Sequence, residues 1–210
     1  MSESNKLASL RVKSTKIHRY LNIFTGFIVL FTLIFLFTTI IAIFSPQNAF
    51  EATSGVAHWQ ITFQPTFFKT AHFSQVIPFT MLANLTDHLM FEAKHAFVTY
   101  HLCYGGFYFG FILYGINQVK EILYSLEVEY TPFTEKNKQH LKRIAWAVIL
   151  YSLFAELITN IAINIFVTQI FNIYLQHINI TGLIIGALLL ILVHIFEIGI
   201  HLQEESDTTL

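Results

Sequence analysis

The stretch "YSLFAELITN" puts a carboxyl, Glu156, in the middle of a long apolar run. Asn160 follows at i+4 and Asn164 at i+8, so all three fall on one helical stripe. An acidic side chain at the centre of a membrane helix costs roughly 2.5–3.5 kcal/mol on the insertion scale. Glu156 is therefore expected to face a protein interior, protonated or hydrogen-bonded. Such a stripe can carry a proton, an ion or a small ligand, or it can clamp helices together by hydrogen bonds. His194, Glu197 and His201 form a second set at i, i+3 and i+7 of another apolar run. A His-x-x-Glu pair on a bundle helix is half of a carboxylate metal site, but the other half must come from facing helices. Only Glu156 is on offer, and it belongs at a different depth. No metal is expected, and the set reads as a polar stripe packing inward near an interface. His88, His95 and His101 are spaced by seven and six, which suits interfacial residues beside Tyr100 and Tyr104 better than ligands. The lone Cys103 makes no internal disulfide, and no Cys/His spacing suits zinc. No Ser-His-Asp or Cys-His set and no phosphate-cradling glycine loop is persuasive. A non-enzymatic protein without cofactors is the expectation.

The elements that position these residues are membrane spans. The chain has 210 residues, 54% of them apolar and 12% charged, where soluble domains average about 25% charged. Net charge is −1, so no global field draws in nucleic acid, and direct nucleic-acid binding is not expected. A span needs about 20 apolar residues. Four runs qualify: 21–44, 97–119, 144–166 and 181–202. The first exceeds the roughly 7–15 residues of a signal-peptide core and is expected to be retained. The fold class is thus all-α integral membrane, a four-transmembrane-helix bundle in the lipid bilayer. Gly106-x-x-x-Gly110 and Gly182-x-x-x-Gly186 are expected to let helices approach closely.

Charge sets the orientation. Lys6, Arg11, Lys13, Lys16 and Arg19 lie in the tail 1–20. Lys120, Lys136, Lys138, Lys142 and Arg143 lie in the connection 120–143. Only Lys69 and Lys94 fall in 45–96, and none in the short link 167–180. Both termini, including the tail 203–210, are expected in the cytoplasm, with 45–96 a mixed extracytoplasmic segment. Within it "VAHWQITF" alternates like a strand, with Trp59, Ile61 and Phe63 on one face. "SQVIPFTMLANLTDHLMFEAKHAF" reads as a helix on or entering the membrane. On the cytoplasmic side, "VKEILYSLEVEY" extends the second helix. In "TPFTEKNKQHLKRIAW" Pro132 ends the preceding element, Thr134 caps, and Glu135 opens the third helix.

Two stretches carry a resemblance: Pro132–Trp146, with Pro132, Phe133, Thr134 and Asn137 in a "PFT-x-x-N" pattern, and Phe196–Leu210, with Gly199, Leu202, Gln203, Glu204, Glu205 and Asp207. Together they resemble a family of bacterial membrane proteins of unknown function, domain-of-unknown-function family 2975. This chain departs from the family in carrying Glu197 where a basic residue is usual, and in ending "TTL". The segment 45–96 carries no resemblance. The family implies four spans and frequent encoding beside a helix-turn-helix regulator. It also implies a location in the bacterial inner (cytoplasmic) membrane. The expected function is a regulatory or interaction protein. Its docking surface would comprise Pro132, Phe133, Thr134, Asn137, Gln203, Glu204, Glu205 and Asp207, with the basic residues of the connection able to meet the acidic tail. The partner would be the regulator or a larger membrane complex. The alternatives are a small transporter or immunity-type protein using Glu156, and an accessory subunit of such a complex.

Overall fold

The computed structural model of the chain describes residues 3–56, 58–67, 70–78, 91–128, 132–169 and 178–208. For residues 3–14 and Asp207 it describes the backbone alone. The described elements are α1 (Glu3–Phe44), a 3-10 turn (Gln47–Ala49), β1 (Phe50–Ser54), β2 (His58–Phe63), β3 (Phe73–Pro78), α2 (Ala93–Tyr100), α3 (Gly106–Val128), α4 (Glu135–Ile163) and α5 (Ile180–Thr208). A π-helical turn, His101–Gly105, joins α2 to α3, and a second, Asn164–Thr168, ends α4. Gln169 closes that second turn in the left-handed conformation, φ 56°.

Four helices are long and apolar enough to cross a membrane: Thr15–Phe44, Ala93–Val128, Glu135–Thr168 and Ile180–Ser206. Each contains one of the four predicted spans. The helices outrun the spans because polar turns extend them. At about 1.5 Å per residue α1 alone is about 63 Å long, twice a hydrocarbon core of about 30 Å. Most of its apolar side chains point outward, with Phe24, Phe27, Phe31, Leu33 and Phe37 each more than half exposed, while one stripe that includes Phe35, Thr38, Thr39 and Ala42 packs inward. Water would not tolerate that surface and lipid does. The chain has the helices of a multi-pass membrane protein.

The chain divides into two compact units. Unit 1 comprises Met1–Leu30, Gly110–Ser152 and Asn179–Leu210. Unit 2 comprises Phe31–Phe109 and Leu153–Ile178.

In unit 2 the strands form an antiparallel meander, β1-β2-β3, with Phe50 opposite Phe63, Ala52 opposite Ile61, and Trp59 opposite Ile77. The predicted strand is β2, and its alternation is observed: Ile61 and Phe63 are buried while Gln60 is exposed. The inner face joins Ala42 of α1, Ala96, Phe97 and Tyr100 of α2, and Ile163 of α4 in one core. Phe63 stacks on Phe50 at 4.5 Å and meets Phe97 at 5.5 Å. Burying one such ring is worth about 1.5–3 kcal/mol. Lys94 Nζ donates to the Ser45 carbonyl at 2.7 Å, placing a cation on the C-terminal end of α1. Gln47 donates to Glu92 at 2.9 Å beside it. The segment from Ser74 does not begin as the predicted helix. Phe73–Pro78 is β3, because Phe73 and Ile77 pair with Phe63 and Trp59 across the sheet. Residues 79–90 of that reading lie outside the described residues, as does His88. The helix itself starts at Ala93.

In unit 1 the small residues of α5 meet α4. A Cβ added at Gly182 would strike the Ser152 side chain, and one at Gly186 would strike Ile149. The predicted close approach is therefore made by Gly182 and Gly186. Gly106 and Gly110 do not share it: a Cβ on either has nothing within 4 Å. It is Gly105, in the π turn, that takes up the Phe35 ring of α1 in unit 2.

Candidate functional site

Two polar constellations stand out, one in each unit. In unit 1 the connection into α4 is built around Asn137. Thr134 caps the helix as predicted, its hydroxyl accepting the Asn137 N–H at 3.2 Å. The Asn137 side chain is wholly buried. Its Nδ2 donates to the Pro132 carbonyl at 3.1 Å, and its Oδ1 accepts from Ser125 of α3 at 2.6 Å. One carboxamide thus ties the turn at Pro132 to two helices. One helical turn further, His140 meets the buried Gln118 of α3 at 2.8 Å. The turn is also tied to α5. Phe133 lies edge-on to Phe196 at 5.3 Å, and a Cβ at Gly199 would come within 2.5 Å of the Phe133 ring. Gly199 is the vacant seat for that ring. Lys138 Nζ reaches Glu135 at 2.8 Å and Glu197 at 3.4 Å, and His194 lies 3.4 Å from the same Glu197.

This geometry changes several expectations. The two motif stretches do meet, but through Phe133, Phe196 and Gly199, with Asn137 buried beneath. Asn137 is a structural tie and offers nothing to a partner. Glu197 takes Lys138, one of the basic residues expected to be able to meet the tail, because α5 passes Lys138 at Glu197, before the tail begins. Glu204 lies 3.6 Å from His201. Glu205 and Glu204 are exposed, Gln203 is half-buried, and the Asp207 side chain lies outside the described residues. The His194, Glu197, His201 stripe does not pack inward: both histidine side chains are 71% exposed. Among the described residues no group of three or more His, Cys, Asp or Glu side chains could hold a metal ion.

In unit 2 the Glu156 stripe is partly as expected. Glu156 is half-buried, while Asn160 and Asn164 are buried. Asn164 donates to Asn160 Oδ1 at 3.1 Å, and Asn160 Nδ2 is buried without a hydrogen-bond partner. Asn164 opens the π turn, against which α2 packs. His95 is exposed and pairs with Glu92 at 2.8 Å, near the start of α2. His101 is less exposed. Its ring is stacked 4.0 Å from Phe35 and 5.2 Å from Phe97, bonded to the Phe35 backbone, with Nε2 buried and unpartnered. Unit 2 therefore holds a donor and an imidazole nitrogen with no hydrogen-bond partner, each beside or within a π turn. Such turns recur at functional sites.

A family model described as a protein of unknown function (DUF2975) matches residues 75–210. The chain belongs to this family. No curated protein and no solved structure matches it. In this DUF2975 protein the match begins in β3 and runs through all of α2 to α5. It thus includes part of the segment 45–96, for which the two motifs alone suggested nothing. His101, the Glu156 stripe, Asn137 and Gly199 all fall within it. Sequence reasoning missed Ser125, Gln118 and the two π turns. Gln118 and Ser125 sit at i and i+7 of α3, a polar pair on one face that could have drawn notice. The π turns leave no such mark, since an inserted residue in a helix has no composition of its own.

Proposed function

We propose that this protein is a non-enzymatic regulatory or interaction protein of a bacterial cytoplasmic membrane. Both termini and the α3–α4 connection face the cytoplasm, and the three-stranded sheet faces outside. The ten-to-two partition of basic residues supports that orientation. The observation that carries the functional reading is the Phe133–Gly199 seat. It joins the connection to α5 by one ring in one glycine notch, flanked by ion pairs at the surface. The flanking pairs lie at the surface and hold the junction weakly, leaving the single ring contact to carry it. Pro132, Phe133, Glu204 and Glu205 are the exposed members of the expected docking surface among the described side chains. The partner is a cytoplasmic protein such as a helix-turn-helix regulator.

The test is co-purification from mild detergent with the full chain as bait. Deleting Gln203–Leu210, and separately Lys136→Gln with Lys138→Gln, should leave insertion intact and lower recovery of the regulator. Unchanged recovery in both variants would rule this reading out. A second reading, a small transporter with Glu156 in its path, is favoured by the unpartnered Asn160 Nδ2 beside it. Flux into proteoliposomes that vanishes with Glu156→Gln would replace the first reading with the second.

A further inference from the structure

We propose that the groove formed by Tyr114, Gln139, Lys142, Arg143, Trp146 and Leu150 binds the headgroup of an anionic phospholipid. The groove lies wholly within unit 1, between α3 and α4, and has a volume of about 490 Å³. Its α4 residues, with Ala147, recur at i, i+3, i+4, i+7, i+8 and i+11, which places them on one face of the helix. Along that face the chemistry changes in order. Gln139 comes first, then the cations Lys142 and Arg143, then Trp146, then Ala147 and Leu150. Tyr114 adds a second aromatic from α3. A phospholipid has the same order from outside to inside: polar headgroup, phosphate, interfacial glycerol, acyl chain. Arg and Lys bind phosphate oxygens by charge-assisted hydrogen bonds. Trp and Tyr settle at the headgroup level with the ring in the apolar zone and the polar edge in the wet one. Apolar Leu150 lies where an acyl chain begins.

Charge bookkeeping separates this site from an ordinary positive flank. Lys138, one turn earlier, is taken up by Glu135 and Glu197. Neither Lys142 nor Arg143 has an ion pair among the described residues, and no carboxylate lines the groove. Two cations with no ion pair among the described residues, beside exposed aromatics at the start of an apolar span, complement a phosphate diester. Basic grooves between membrane helices are the usual seats of acidic lipids. The inference rests on membrane insertion and not on the regulatory reading above.

The experiment is native mass spectrometry of the full chain, released from detergent doped with phosphatidylglycerol. A bound-lipid adduct is expected. Lys142→Gln with Arg143→Gln should weaken it about thirty-fold, since each basic residue near an anionic lipid surface is worth about 1 kcal/mol. Lys136→Gln, outside the groove, should not. Phosphatidylcholine should give no adduct sensitive to these charges, and glycerol 3-phosphate should not compete at equal concentration. The charge-keeping pair Lys142→Arg with Arg143→Lys should retain binding, which separates lost recognition from lost folding. The proposal fails if the double Gln variant keeps its lipid or if phosphatidylcholine binds equally. It fails too if glycerol 3-phosphate displaces the lipid, making this a soluble-phosphate site. If the double variant instead abolishes a dimer mass, the groove is an interface between copies and the lipid assignment is wrong.

Discussion

At the scale of single residues, Asn137 and Gly199 carry more than their size suggests. Asn137 makes two side-chain hydrogen bonds in a dry place and offers its N–H to the cap. Removing the carboxamide deletes both bonds and opens a hole in a buried turn, leaving the Ser125 hydroxyl only the Ile122 carbonyl and the Pro132 carbonyl only the Thr134 N–H. We expect Asn137→Ala to cost about 1–3 kcal/mol, visible as a lower melting temperature in detergent. Asn137→Asp should not rescue it, because a carboxylate cannot donate to the Pro132 carbonyl. Gly199→Val should expel Phe133 from its seat, since the ring lies where the new Cβ must go. Cysteine cross-linking between positions 133 and 196 should then fall while the helices remain. Glu156 belongs to the same scale. Glu156→Gln should preserve folding, because the amide keeps the shape of the side chain and can still hydrogen-bond. Glu156→Leu should lower stability by about 1 kcal/mol, the usual worth of a polar contact between membrane helices. Equal thermal stability in the Leu variant would show that the carboxyl clamps nothing.

At the scale of elements, the sheet and the α4 cap make separate predictions. The inner face of the meander is anchored by Ile61 and Phe63, both fully buried. Ile61→Ala should cost about 2–5 kcal/mol through lost burial and an unfilled cavity. The loss should appear first as protease cleavage within the segment 45–96, while α4 and α5 resist. Thr134→Ala removes the hydroxyl that accepts the Asn137 N–H and should cost about 1 kcal/mol. Hydrogen exchange should quicken at the first turn of α4 and nowhere in the sheet. Comparable exchange in both places would mean that cap and sheet unfold as one cooperative block.

At the scale of the whole molecule, the partition of charge makes the prediction. A fluorescent fusion after Leu210 should report cytoplasm, and a phosphatase inserted near Thr66 should report outside. Swapped reporters would overturn the orientation and move the groove at Lys142 and Arg143 to the other leaflet. The outward-facing Phe and Leu of α1, with its helix far longer than a bilayer, also imply that the polar half of α1 projects beyond the lipid. Spin labels at Thr15 and Phe31 should report water and hydrocarbon respectively.

The four spans, the β2 alternation, the Thr134 cap and the Gly182/Gly186 approach were legible from residues alone. Each depends on hydrophobic period, local hydrogen bonding or side-chain size, and these act over one to three helical turns of chain. The family, too, was legible in Pro132–Asn137 and Gly199–Asp207. What the sequence could not supply was which distant groups those residues meet. Phe133 and Gly199 are far apart in the chain, and nothing in either says that a ring from one fills the notch of the other. Lys138 had several carboxylates to choose from, and only the path of α5 selected Glu197. Ser74–Ile77 read as the start of a helix until Phe63 and Trp59 lay alongside. His101 gave no sign that Phe35 would stack on it. Long-range partners are chosen by packing, since a side chain's energy depends on what surrounds it in space, and chain order does not specify that.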